Sequence, residues 1–105
     1  MFAVLYSFNV LPDKSKDFIE GWSGLTNLIY EYENSFGSRL HKIAPNTYIA
    51  YAQWPDKSTW KNSGSKLPEQ ASVFSKLMKD CCAEIKTENE LELVADLLKS
   101  QQFNK

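Results

Sequence analysis

The first ten residues of the chain alternate between large hydrophobic side chains and smaller or polar ones. The large side chains share one face of an extended chain: Phe2, Val4, Tyr6, Phe8 and Val10. A period of two is typical of a β-strand, and Leu5 on the second face indicates that both faces are partly covered. The sequence therefore predicts a strand over residues 2–10, which ends before Pro12.

From about residue 14 to residue 34, the hydrophobic period changes to three or four. The residues that recur at this spacing are Phe18, Trp22, Leu25, Ile29 and Tyr32. Such spacing predicts the apolar stripe of an amphipathic helix. Gly21 and Gly24 lie inside this helix, where each glycine is less favourable than alanine by about 1 kcal/mol.

Two further strands are predicted over residues 36–43 and 47–54, and the second is rich in β-branched and aromatic side chains. A short helix that carries Trp60 follows the second of these strands, and a longer helix begins at Pro68. The residues expected on one face of the longer helix are Phe74, Leu77, Met78, Cys81 and Ile85. A last strand is predicted from Asn89 to about Leu98, because hydrophobic and polar residues alternate there.

The order strand, helix, strand, strand, helix, strand indicates an α+β fold of the ferredoxin-like split βαβ type. Such a fold has a four-stranded antiparallel sheet with helices on one face. We expect a single domain over residues 1–98 and a polar C-terminal tail over residues 99–105.

The predicted strand over residues 47–54 is apolar on both faces. Ala50 and Trp54 lie on one face, and Ile49 and Tyr51 lie on the other. Monomeric proteins rarely expose large apolar patches, and a second copy of the same sheet would cover the second face. We therefore expect a homodimer formed through the sheet faces.

Charge and cysteine content narrow the function classes. The chain of 105 residues has 12 Lys and Arg against 13 Asp and Glu, a net charge of −1. Polyanion binding needs a basic excess, so no nucleic-acid partner is expected. No apolar stretch reaches the roughly 18–20 residues of a membrane span, so no membrane association is expected. Cys81 and Cys82 are adjacent, which fits a reducing compartment and predicts a cytoplasmic location.

Three segments resemble the antibiotic biosynthesis monooxygenase domain family, whose members are small dimeric α+β barrel proteins. They are residues 9–14 before the first helix, residues 37–41 in the second strand, and residues 48–54 followed by Trp60. The resemblance covers residues 2–98 and implies a pocket between the sheet and the helices of each subunit. It also implies oxidation of a quinol-like ring by O₂ without a metal or flavin, as in some members of the family. That chemistry needs a dry cavity that binds the ring and stabilises its anion.

The chain departs from the family at several polar positions. Many members have an acidic residue where this chain has Ala52, and many have a histidine where it has Ser63. The asparagine of the polyketide-oxidising members falls on Ala50. The tryptophan and histidine of the haem-degrading branch fall near Ser63 and Met78, and its asparagine falls near Tyr6, so haem degradation is not expected.

The candidate site is aromatic. The residues predicted to contact a substrate are Trp54, Trp60, Tyr6 and Trp22. The same side chains could instead fill the core and the dimer interface. His41, the only histidine, and the hydroxyl of Tyr51 are the candidate catalytic groups. A single histidine without clustered cysteines predicts no metal site, and no cofactor is expected.

Two functions remain open at this point. The first is a homodimeric protein that binds a small aromatic or hydrophobic molecule and oxidises it with O₂ in the absence of a cofactor. The alternative is a non-catalytic dimeric module of the same fold, whose cavity binds a ligand without turnover or is vestigial.

Overall fold

A computed structural model describes residues 1–98 of the chain, and the predicted tail 99–105 lies outside the described residues. The elements are β1 (Phe2–Val10), α1 (Ser15–Tyr32), β2 (Gly37–Ala44), β3 (Thr47–Trp54), α2 (Lys57–Lys61), α3 (Gln70–Asp80) and β4 (Cys82–Glu92). The four strands form one antiparallel sheet in the order β2-β3-β1-β4. The predicted α+β class and its sheet are therefore confirmed.

The helices pack on the sheet face that carries the even-numbered residues of β1. Phe18 of α1 is fully buried, and its ring centroid lies 5.1 Å from those of both Phe8 and Tyr48. Met78 of α3 and Cys81 join the same core cluster. Burial of one large apolar side chain stabilises a fold by roughly 1.5–3 kcal/mol, so this cluster holds both helices on the sheet.

Helices α1 and α3 approach closely because α1 has glycines at their contact. A Cβ at Gly21 would lie 2.7 Å from the backbone nitrogen of Met78, and a Cβ at Gly24 would overlap the ring of Phe74. The two glycines are unfavourable for the helix alone, but they leave the space that α3 occupies.

The prediction for the last strand is wrong in position. A strand was expected from Asn89 to about Leu98, whereas β4 spans Cys82–Glu92, and Ile85 lies in this strand rather than on α3. β4 is an edge strand that pairs with β1. Nearly all of its side chains are exposed, and many are charged. Charged side chains protect a sheet edge from further pairing, and here they conceal the alternation on which the prediction relied.

The second face of the sheet carries the odd-numbered residues of β1 and β3. Residues 93–98 continue from β4 along the end of this face, where the N–H of Leu93 donates to the carbonyl of Met1 at 3.1 Å. Ala3 is only 3% exposed and shares a groove with Tyr51 and Val94. The chain's own C-terminal segment therefore covers part of the face, while Val94 itself is 93% exposed.

The lack of a long apolar stretch and the adjacent cysteines were the basis for expecting no membrane association and a cytoplasmic location. Within residues 1–98, no helix is both long enough and apolar enough to cross a membrane. Cys81 and Cys82 both carry free thiols. The cytoplasmic location that their adjacency suggested stays a prediction.

Candidate functional site

A cavity of about 220 Å³ lies between the helix-facing side of the sheet and α1. Its aromatic walls are Tyr6, Phe8, Trp22 and Trp54. Its aliphatic walls are Leu25, Ile29, Ala50, Ala52, Met78 and Ile85. An apolar cavity of roughly 150 Å³ can hold benzene, so this cavity matches a molecule of one or two rings.

The cavity exists because two small residues face the helices in the middle of β3. On this face the strand has Tyr48 and Trp54 at its ends and Ala50 and Ala52 between them. Ala52 pairs with Ser38 of β2, which is also small, while Ala50 pairs with Tyr6 of β1. The missing side-chain volume at this level of the sheet leaves space below α1.

Tyr6 lines the cavity, and its side chain ends in a phenolic hydroxyl. The indole N–H of Trp60 donates a hydrogen bond to this hydroxyl at 2.8 Å. Burial raises the pKa of Tyr6 above its ordinary value, and the hydrogen bond from Trp60 partly offsets the rise. The phenol is therefore protonated at neutral pH. Because its oxygen accepts from Trp60, its own proton is available to a ligand.

Trp60 lies behind Tyr6 and is not one of the described residues that line the cavity. It is carried by α2, whose N-terminus is capped by Asp56, which accepts from the backbone N–H of Thr59 at 2.7 Å. The ring of Trp60 packs on Phe2 at a centroid distance of 5.6 Å. The structure thus gives Trp60 a supporting position, whereas the sequence had suggested a direct contact with substrate.

The remaining polar groups of the wall differ in what they offer a ligand. Ser35 donates to the carbonyl of Gln53 at 3.3 Å, and Ser38 donates to the carbonyl of Tyr51 at 3.0 Å. The indole N–H of Trp54 is buried and has no hydrogen-bond partner among residues 1–98. Thr26 adds a hydroxyl, which can donate or accept.

No charged side chain is among the described residues that line the cavity, and Tyr6 is the wall residue there that can titrate. A general base with a pKa near neutrality is therefore missing from the described wall. The arrangement can hold an apolar ring and donate a hydrogen bond to it. Within the described part of the chain, no three potential metal-ligating side chains cluster.

His41 and Tyr51 lie on the other face of the sheet. Side chains alternate along a strand, so Tyr51 points away from the cavity that its neighbours Ala50 and Ala52 line. His41 pairs with Ile49 and therefore shares the face of Tyr51. Tyr51 instead lines a separate surface groove with Arg39. The two candidate catalytic residues are thus separated from Tyr6, Trp22 and Trp54, which the structure brings together.

The sequence placed Met78 and Ile85 on one apolar helix face but did not indicate that they line a cavity. Ala50 was noted as part of an apolar strand face, and Ala50 and Ala52 were noted as departures from a family pattern. The available signal was the pair of small residues between Tyr48 and Trp54, which marks a gap in the packing of the sheet face.

Comparison with known proteins establishes the fold. Neither a protein-family model nor a curated protein matches the chain. A Bordetella bronchiseptica protein assigned as an antibiotic biosynthesis monooxygenase is 20% identical, with a TM-score of 0.71 over 90% of this chain and 97% of that chain. SnoaB, a cofactor-independent oxygenase from Streptomyces nogalater, is 11% identical, with a TM-score of 0.72 over 93% of this chain and 97% of that chain.

A Nitrosomonas europaea protein assigned to the same class is 13% identical, with a TM-score of 0.73 over 90% of this chain and all of that chain. The chain therefore has the fold of the antibiotic biosynthesis monooxygenases. The resemblance predicted from the sequence is confirmed at the level of the fold, which is all that such identities establish.

Proposed function

We propose that the chain binds a small, uncharged aromatic or hydrophobic molecule in the cavity below α1. The observation that carries the proposal is an apolar cavity of about 220 Å³ with aromatic walls and one available phenolic O–H. Transfer of an apolar ring from water into such a site is favourable, and a small number of polar groups suffices to orient it. Walls without a described charged side chain disfavour an ionised ligand.

A cavity-filling substitution tests this proposal. Ala50 lines the cavity and is 1% exposed, so Ala50→Leu places new side-chain volume where the ligand would lie. We expect calorimetric titration with 1-indanone to show binding to the wild type and a loss of affinity of about tenfold or more in Ala50→Leu, equivalent to about 1.4 kcal/mol. Ala44→Leu, at an exposed position at the end of β2, is the matched control and should bind like the wild type.

Thr26→Met fills the same cavity from α1 and replaces Ala50→Leu if that variant does not fold. Binding that is unaffected by both substitutions would locate the ligand elsewhere. A wild type that binds neither 1-indanone nor other uncharged compounds of one or two rings would contradict the proposal.

Oxidation of the bound ring by O₂ is the second candidate, and Tyr6 is the observation that favours it. A protonated phenol in an apolar cavity stabilises an oxyanion more effectively than water does. In such a reaction, O₂ converts a ring CH₂ group to C=O and releases water. Because the described wall offers no base, the proposal is confined to substrates that ionise without one. Oxygen uptake with an anthrone, compared between the wild type, Trp54→Phe and Ala50→Leu, tests this candidate alongside binding.

We also propose that two copies associate through the second face of the sheet. Ile49 and Tyr51 are half-buried on this face in the single chain, and residues 93–98 cover only part of it. On this proposal His41 and Tyr51 lie at the interface between copies rather than at the chemical site.

A further inference from the structure

We infer that Trp60 is a positioning residue that makes Tyr6 a dedicated hydrogen-bond donor, so that the cavity selects ligands that carry an acceptor oxygen. This inference rests on the proposed function, because it concerns what the same cavity accepts. It assigns a role to a tryptophan that does not line the cavity, and it narrows the ligand class from small apolar rings to rings with a carbonyl or comparable oxygen.

The side chains of Trp60 and Tyr6 are joined by a hydrogen bond whose direction is fixed by their chemistry. An indole nitrogen can only donate, whereas a phenolic oxygen can both donate and accept. The contact of 2.8 Å between Nε1 of Trp60 and the hydroxyl of Tyr6 therefore has a single possible polarity. Tyr6 is the acceptor, and its own O–H must find its partner elsewhere.

The surroundings of Tyr6 leave that O–H without a partner in the described part of the chain. Tyr6 lines the cavity, and no acceptor for its proton occurs among residues 1–98. The hydroxyl protons of Ser35 and Ser38 are already donated to backbone carbonyls. The O–H of Tyr6 therefore remains as a donor, and an acceptor oxygen on the ligand complements it.

Trp60 is supported by groups outside the cavity. The short helix α2 holds the indole from outside the cavity through the cap at Asp56, the packing on Phe2, and an ion pair of 3.0 Å between Lys57 and Glu90 of β4. The indole N–H is therefore positioned by groups that lie outside the cavity. A site that is built to form a hydrogen bond rejects analogues that lack the matching group, since its own polar atom is then left unpaired.

The test compares two uncharged ligands of nearly equal shape, 1-indanone and indane, of which only the first has an acceptor oxygen. The measured quantity is the ratio of the dissociation constant of 1-indanone to that of indane. This ratio in each variant is compared with the ratio in the wild type, so the difference in hydration between the two ligands cancels. We expect Tyr6→Phe to shift this ratio against 1-indanone by roughly three- to tenfold, the usual range for one hydrogen bond. Trp60→Phe should shift it in the same direction by a smaller factor.

The double variant Tyr6→Phe/Trp60→Phe separates positioning from mere packing. If Trp60 acts through Tyr6, the double variant has the ratio of Tyr6→Phe alone. A purely structural role for Trp60 would weaken both ligands equally and leave the ratio at its wild-type value, which would overturn the inference. If a variant loses its selectivity for 1-indanone but still binds indane, the result bears on this inference and leaves the proposed function standing. If neither ligand binds the wild type, the proposed function and the inference are both contradicted.

A ligand-free measurement gives an independent result. The hydrogen bond from Trp60 lowers the pKa of Tyr6, so its removal should raise that pKa further. Tyrosinate absorbance, titrated in the wild type and in Trp60→Phe and corrected with Tyr6→Phe as the blank, should show this rise. An unchanged Tyr6 titration in Trp60→Phe would overturn the inference.

Discussion

Ala50 and Ala52 create the space that the aromatic side chains enclose. Each lies opposite a residue of β1 on the helix-facing side of the sheet, and both are nearly inaccessible to solvent in the single chain. A large residue at either position would complete the core in the ordinary way, because protein interiors are close-packed. The retained space, together with the O–H of Tyr6 that has no acceptor among residues 1–98, is what distinguishes this part of the core from the cluster around Phe18.

The alternation of β1 and β3 predicted which of their residues share a face, and the structure places Tyr6 and Trp54 on the face that packs against the helices. The face of His41 could not be predicted in the same way, since it depends on the register between β2 and β3. In that register His41 lies opposite Ile49 and away from the cavity. His41 was a candidate catalytic residue because it is the only histidine, but the chemical type of a side chain carries no information about its position in the fold.

Cys82 provides a prediction about pH. Burial, and secondarily the neighbouring Cys81, raises the pKa of its thiol to about 11. Above the unfolded-state pKa of about 8.5, the unfolded chain loses a proton that the folded chain retains. The free energy of unfolding should therefore fall as the pH rises from about 9 towards 11, and the fall should be smaller in Cys82→Ser.

Urea unfolding with a reductant present, at several pH values in this range, measures the effect. The raised pKa values of Cys81 and Tyr6 act in the same direction and persist in the variant, so part of the slope should remain. Parallel curves for the wild type and Cys82→Ser would show that the thiol of Cys82 is not responsible.

Among the elements, α1 shows how tertiary packing overrides local preference. Its hydrophobic period predicted a helix despite Gly21 and Gly24, and the contact with α3 explains both glycines. The opposite situation holds for β4. Its local pattern is dominated by exposed charged residues, and it is a strand because β1 offers an unpaired edge directly after α3. Such pairing is a property of the assembled sheet, which no local window of sequence contains.

Gly21→Ala tests the contact between the helices. Alanine favours an isolated helix by about 1 kcal/mol over glycine, yet the new Cβ would lie 2.7 Å from the backbone nitrogen of Met78, which cannot turn aside. Overpacking of this kind usually costs about 1–3 kcal/mol. We therefore expect a net destabilisation of up to about 2 kcal/mol in chemical denaturation.

The matched control is Glu20→Ala, at the exposed neighbouring position of the same helix, which should change stability by less than about 0.5 kcal/mol. If Gly21→Ala instead stabilised the protein by about 1 kcal/mol, the helices would not be in close contact at this residue.

The whole molecule has two unlike sides. Helices cover one face of the sheet and enclose the cavity, while the other face keeps Ile49 and Tyr51 half-buried beside exposed Arg39 and His41. The fold class could be predicted from the order of the elements, because few arrangements satisfy that order. The cavity could not be predicted, since its walls come from six different elements whose approach is set by the packed core.

Association through the open face is the prediction that concerns the assembly. A two-fold interface brings the same residues of both copies together, so a charge introduced at its centre is opposed by its own symmetry mate. Ile49 lies in the middle of β3, between Ser7 of β1 and His41 of β2. A stable interface of this kind buries more than about 1,000 Å² in total. We expect light scattering at micromolar concentration to give twice the mass of 12.1 kDa for the wild type.

Ile49→Lys should shift that mass towards the monomer, because two buried ammonium groups would face one another without a partner. Val73→Lys is the matched control: Val73 is 66% exposed on α3, in the helical layer on the opposite side of the sheet, and its substitution should leave the mass unchanged. A monomeric wild type would contradict the prediction directly. A dimer that dissociates in Val73→Lys and persists in Ile49→Lys would place the interface on the helices and contradict the prediction.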